Sequence, residues 1–183
     1  RKTVDEPLSL IHVDAHADTG DDYLGSRFHH GAPFKIATDE GLIDPERTVQ
    51  IGIRGGQNFA DGLDYSRDKG MRVITIEEFD DLGWEAVAHE AKRIVGEGPV
   101  YLTFDVDGLD PAYLPGTGVP EIGGLIPRDV QVILRSLQGM DIVGADISEV
   151  SPCYDPTGIT CVTVANLMFE MLCIIADSIS VKR

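Results

Sequence analysis

Apolar and polar positions divide this chain into two kinds of stretch. Short strand-like runs, mostly apolar and rich in β-branched residues, recur at 8–13, 48–53, 71–76, 99–104 and 142–147. Each reads as a strand buried on both faces. Helical patterns alternate with several of them. Over 84–95 the residues Trp84, Val87, Ala88, Ala91, Ile94 and Val95 fall on one face, and Gly96 and Gly98 stop the pattern. A second amphipathic helix is expected over 129–138, introduced by Pro127. The stretch 160–178 is apolar on most sides but carries Asn166 and Glu170. Its uninterrupted apolar runs are too short for a bilayer, so a buried core helix is expected. Strand–helix alternation predicts an α/β fold: three αβα layers around a mostly parallel sheet. No repeat, linker or low-complexity segment divides the chain, so residues 1–183 read as one domain.

Such sheets build their sites at the carboxyl ends of the strands. Asp14, Asp105 and Glu149 each follow a predicted strand and are expected to converge on one edge. Two stretches there carry chemistry. The strand 99–104 runs into Asp105-Val-Asp107-Gly-Leu-Asp110, and then into a segment rich in Pro and Gly up to Gly124. The strand 8–13 runs into Asp14-Ala-His16-Ala-Asp18. Asp105 and Asp107 can aim at one point if the backbone bends after Asp105, which Gly108 permits. Carboxylates this close repel one another unless a cation holds them together. Four carboxylates and one imidazole suit Mn²⁺, with Ni²⁺ or Co²⁺ also possible through the imidazole. Five ligands are more than one tetrahedral zinc needs, and two divalent metal ions bridged by carboxylate use them better.

Charge narrows the partners. Net charge is −16, from 31 acidic and 15 basic residues, which argues against nucleic acid and anionic membranes. It is compatible with steering a small cationic substrate. Cys153, Cys161 and Cys173 lie in apolar surroundings and read as reduced core thiols. No signal peptide or lipidation motif is visible, and a cytoplasmic location is the expectation. His12 reads as structural and His89 as a surface residue.

Asp14-Ala-His-Ala-Asp18, Phe104-Asp-Val-Asp-Gly-Leu-Asp-Pro111, Pro115-Gly-Thr-Gly118 and Glu149-Val-Ser-Pro152 together resemble the signatures of the ureohydrolase (arginase/agmatinase) family. The similarity is greatest to the agmatinase and guanidinobutyrase branch. The resemblance implies an arginase/deacetylase-like fold and hydrolysis of a guanidino compound, such as agmatine or guanidinobutyrate, to urea and an amine. Two metal ions would be held by Asp14, His16, Asp18, Asp105 and Asp107, with Asp14 and Asp105 bridging and a hydroxide shared between the ions. Glu149 would clamp the guanidinium. Asp107 would pass a proton toward the leaving amine, and His30, which precedes Gly31, would relay protons and help bind substrate at the mouth. A homo-oligomer, trimer or hexamer, is implied as well.

Departures from the family refine this reading. Gly20 and Phe28 stand where arginases carry asparagines that read the head of arginine, so arginine is disfavoured. Val119 replaces the threonine most members carry beside the guanidinium pocket. Gly20-Asp21-Asp22 could favour a second positive charge, and solvated loop acids are the alternative. A non-catalytic subunit, a hydrolase of another guanidino or formimino substrate, and a deacetylase-like single-metal enzyme also remain open; Asp18 and Asp107 argue against the last. Family members extend further upstream of the first motif, where a Gly-Gly-Asp-His segment supplies another metal ligand. The chain is therefore expected to be a C-terminal portion, truncated at its N-terminus. Strand 8–13 would then lack a neighbour on one side, and apolar surface would face solvent.

Overall fold

The computed structural model describes residues 4–56 and 62–181. Five strands form one parallel sheet: β1 Leu8–Val13, β2 Ile43–Ile53, β3 Arg72–Thr75, β4 Val100–Asp105 and β5 Ile142–Ser148, in the order β3-β2-β1-β4-β5. Helices α1 Pro33–Asp39, α2 Asp64–Asp68, α3 Ile76–Val95, α4 Pro127–Ser136 and α5 Ile159–Val181 flank it in αβα layers. The core forms where Ile11 and Val13 of β1, Val49 and Ile51 of β2 and Leu102 and Phe104 of β4 meet Val87, Ala91 and Val95 of α3. All are close to fully buried, which is why these strands read as mostly apolar runs without alternation.

The strand order creates the site. From β1 the chain steps outward through β2 to β3, then returns across the sheet and steps the other way through β4 to β5. Right-handed crossovers put the connections of the two halves on opposite faces, leaving a crevice between β1 and β4. Val13 pairs with Phe104 and Asp105 with Ser148, so Asp14, Asp105 and Glu149 leave neighbouring strands at the same height.

Several expectations are corrected. β1 does not lack a neighbour: it lies at the centre between β2 and β4, and β3 and β5 are the edges. The first long helix begins at Ile76, eight residues before Trp84, where Thr75 Oγ1 accepts a 3.4 Å hydrogen bond from Glu78 N. Gly83, at φ 77°, kinks it and breaks the apolar phase. Phe79 is therefore buried and Trp84 is not. The short helices α1 and α2 carry no signal in the sequence pattern, because neither is long enough to show periodicity.

Helix α5 departs most from expectation. Thr160, Val164, Leu167, Met171, Ile174 and Ser178 are buried, while Val162, Met168, Phe169, Leu172 and Ile179 face solvent. The helix packs by one face on α4 and β5 instead of being enclosed as core. By length and composition its segment 159–180 could cross a bilayer. Its polar residues tie it to the domain instead: Arg135 Nε donates to Glu170 Oε2 at 2.9 Å, and Gly139 N donates to Asp177 Oδ2 at 3.2 Å. Cys161 and Cys173 lie on its exposed side and Cys153 on an exposed turn, so none is a core thiol.

Candidate metal centre and substrate cleft

Asp14 and Asp18 flank His16 in the turn that leaves β1. Asp14 N still donates to Ile51 O of β2 at 3.1 Å, and the turn bends back immediately after it. Asp14 Oδ1 accepts from His16 N at 2.6 Å, which curls the segment so that residues 14, 16 and 18 face the crevice. Across from it the chain leaves β4 as a single 3₁₀ turn, Val106–Gly108. Asp105 Oδ1 caps that turn by accepting from Asp107 N at 2.9 Å, and Ser148 Oγ of β5 donates to Asp105 Oδ2 at 2.9 Å. The two turns are sewn together by Ala15 N, which donates to Asp107 Oδ1 at 3.1 Å. A Cβ on residue 108 would stand 3.2 Å from the backbone N and Cα of Asp14, so a larger residue would push the two turns apart by a few tenths of an ångström.

The structure thus brings Asp14, His16, Asp18, Asp105, Asp107 and Glu149 to one cleft of about 810 Å³, with His30 and Val119 also in its wall. His16 Nδ1 lies 3.1 Å from Asp107 Oδ2 and 3.4 Å from Asp14 Oδ1. One ligand atom from each of Asp14, His16 and Asp107 falls within 4.8 Å of the others, and the same holds for His12, Asp14 and Asp18. Glu149 is exposed to the cleft at the end of β5, with φ 59°. His30 is exposed on the loop after the first motif, where His29 stacks edge-on against it.

Electrostatics match a cation-binding donor set. Burial first, then the negative charges of Asp14 and Asp107, push the Asp105 carboxyl up to about 9. Burial and Asp14 push Asp18 up to about 7. Asp107 is raised too, by burial, although His16 opposes the shift. His16 moves to about 10: burial lowers it, and hydrogen bonds to Asp107 and Asp14 outweigh that. Asp14 is the exception. Burial raises it, but the His12 ring, with hydrogen bonds to His16 and Asp107, holds it below the usual carboxylate range. Burial first, and repulsion between neighbouring carboxylates second, raise Asp105 and Asp18, and a bound divalent cation would relieve both effects. With oxygens and an imidazole nitrogen, the set could hold a divalent metal ion.

The residues around this cluster were not legible as functional in the sequence. Arg54, just beyond β2, is 7% exposed. Its five guanidinium N–H groups face six carbonyls, one N–H being shared between two of them: Gly52, Asp107, Gly108 and Leu109 O, and Glu121 and Ile122 O of the Pro/Gly-rich loop. It holds the turn bearing Asp107 against both neighbours. Glu121 Oε1 lies 3.8 Å from His16 Nε2. His12 and Gln50 lie fully buried beneath Asp14. A lone arginine or glutamine in a chain of this composition carries no sequence signal of its own.

The Arginase family profile matches residues 1–173. The chain is 53% identical to guanidinopropionase of Pseudomonas aeruginosa, over 95% of this chain and 55% of that protein. It is 49% identical to the mitochondrial agmatinase of Gallus gallus, over 92% of this chain and 50% of that protein. Among solved structures, the proclavaminate amidino hydrolase of Streptomyces clavuligerus superposes with a TM-score of 0.90 at 46% identity, covering 94% of this chain and 57% of that one. The chain spans about half the length of the curated relatives it matches. Signature motifs, sheet order and these likenesses agree: the chain belongs to the arginase family.

Proposed function

We propose that this chain carries the active centre of a metal-dependent amidinohydrolase that converts a guanidino compound and water to urea and a protonated amine. The observation that supports this best is the convergence of Asp14, His16, Asp18, Asp105 and Asp107 opposite Glu149 in one cleft. Two divalent ions, Mn²⁺ or a similar ion, held by those five residues would supply a water activated at neutral pH. Glu149 accepts hydrogen bonds from the planar cation and fixes its carbon in line for attack. Asp107 takes the water's proton and delivers it to the departing nitrogen as the carbon–nitrogen bond breaks, and His30 exchanges protons with solvent at the mouth.

The substrate tail meets the rim. Asp21, Asp22 and Asp64 lie there with Tyr23 and Tyr65, and no Lys or Arg is found among the described lining residues. Lys35 Nζ pairs with Asp21 Oδ1 at 3.5 Å, so Asp22 and Asp64 are the rim charges that favour an amine-ended substrate such as agmatine over a carboxylate-ended one such as guanidinobutyrate. A homo-oligomer is part of the same reading, carried by the sequence resemblance. The test is urea release from the full-length protein with Mn²⁺, Ni²⁺ or Co²⁺ across a panel of guanidino compounds, with metal analysis. Release from at least one compound, tracking metal content, is expected, with agmatine ahead of guanidinobutyrate. No release from any compound by a metal-loaded protein defeats the enzyme reading. Preference for guanidino acids defeats the assignment of the rim.

A further inference from the structure

Beneath Asp14 lies a chain of hydrogen bonds whose direction the geometry determines. Gln50 sits on β2 in register with His12 on β1. Gln50 Nε2 lies 2.6 Å from the carbonyl of Ala17 and 3.2 Å from His12 Nδ1. A carbonyl only accepts, so the amide must present nitrogen there; the flipped amide would force two oxygens together. The other N–H of that nitrogen then falls on His12 Nδ1, which must be the bare, accepting nitrogen. The His12 proton is therefore on Nε2, and it is donated to Asp14 Oδ2 at 2.7 Å. Gln50, His12 and Asp14 are 0%, 1% and 2% exposed. Phe34 lies against the His12 ring at 4.2 Å between centroids, leaving it little freedom to turn.

We infer that Gln50 and His12 form a positioning pair for Asp14, orienting its carboxylate toward the divalent cations while Gln50 also pins the Asp14–Asp18 turn through Ala17. The inference rests on the metal-centre reading above. Asp14 Oδ2 is held from below by His12 and Oδ1 from the side by His16 N, so the carboxylate cannot rotate freely. Hydrogen-bonded partners of this kind orient the groups that bind a metal, and their loss weakens binding. His12, which by sequence alone reads as structural, thus acts on the cation through another residue.

The test uses the full-length protein. Mn²⁺ affinity by chelator competition is expected to fall about 10–100-fold in His12→Phe, which keeps a ring but removes the donor. His12→Gln, which keeps an N–H near the place of Nε2, is expected to recover most of that affinity. Nitrogen-15 spectra of histidine-labelled, metal-free protein should show His12 as the Nε2–H tautomer in the wild type, and a tautomer mixture in Gln50→Leu. A His12→Phe variant with wild-type affinity, or an Nδ1–H tautomer in the wild type, overturns the inference and leaves the metal centre standing. A wild type with no affinity for divalent ions overturns both.

Discussion

Asp18 and Glu149 hold backbone conformations that L residues seldom adopt, at φ 52° and 59°. Both face the cleft, and strain of this kind is retained where the surrounding structure requires a particular aim. Glu149 stands apart from the metal cluster in its chemistry: its carboxylate is exposed to the cleft, whereas Asp14, Asp105 and Asp107 are buried. Glu149→Gln is therefore expected to lower kcat/KM at least about 100-fold, the scale of a lost transition-state contact, with metal content unchanged. A variant that loses metal, or keeps its rate, would place Glu149 elsewhere. The titrating groups set a second expectation. Asp105 at about 9, Asp18 at about 7 and His16 at about 10 all bind protons more tightly folded than unfolded. Their contribution to stability is full at low pH and is lost as pH rises through those values. Without metal, the thermal midpoint is expected to fall between pH 7 and 9. Added Mn²⁺ should restore it, by more at the higher pH, because binding displaces those protons. A metal-free midpoint that rises over that range would contradict the raised values.

At the level of elements, the site depends on turns that no single strand or helix controls. Arg54 joins the end of β2, the 3₁₀ turn after β4 and the 121–122 loop through one guanidinium. Burial lowers its pKa, and the acidic groups Asp107, Asp110 and Glu121 oppose that, so the charge is retained for carbonyls to solvate. Arg54→Met fills similar volume but strands several buried carbonyls, and is expected to cost on the order of 3 kcal/mol in denaturant unfolding. Arg54→Lys should recover little, since an ammonium cannot reach three segments as a planar fork does. Unfolding of Arg54→Met within about 0.5 kcal/mol of wild type would show that the turns hold themselves.

For the whole molecule, the outer face of α5 is the feature with the largest physical consequence. Phe169 is 65% exposed and Leu172 60%, beside Val162, Met168 and Ile179. An exposed apolar stripe along a helix this long exceeds what an isolated domain usually shows to water. The 183-residue chain on its own is expected to self-associate and to bind a hydrophobic dye. Phe169→Glu with Leu172→Lys should reduce both, while unfolding free energy stays within about 0.5 kcal/mol, because neither side chain is packed. Unchanged dye binding in that double variant would locate the sticky surface elsewhere.

Predominantly apolar runs without polar–apolar alternation determined that the chain forms a parallel α/β sheet, because strands covered on both faces bury successive positions. The motifs determined the candidate donors as well: Asp14, His16, Asp18, Asp105, Asp107 and Glu149 all lie in one cleft. Pattern alone could not decide which strands are neighbours, since pairing is a contact between distant segments. That β1 sits between β2 and β4, and not at an edge, is what sets Asp14 beside Asp105. Pattern also overstated the burial of α5, whose composition is the same whether one face is covered or all of them. Gln50, His12 and Arg54 acquired their roles only from the tertiary structure, because a buried polar side chain is defined by the partner that satisfies it.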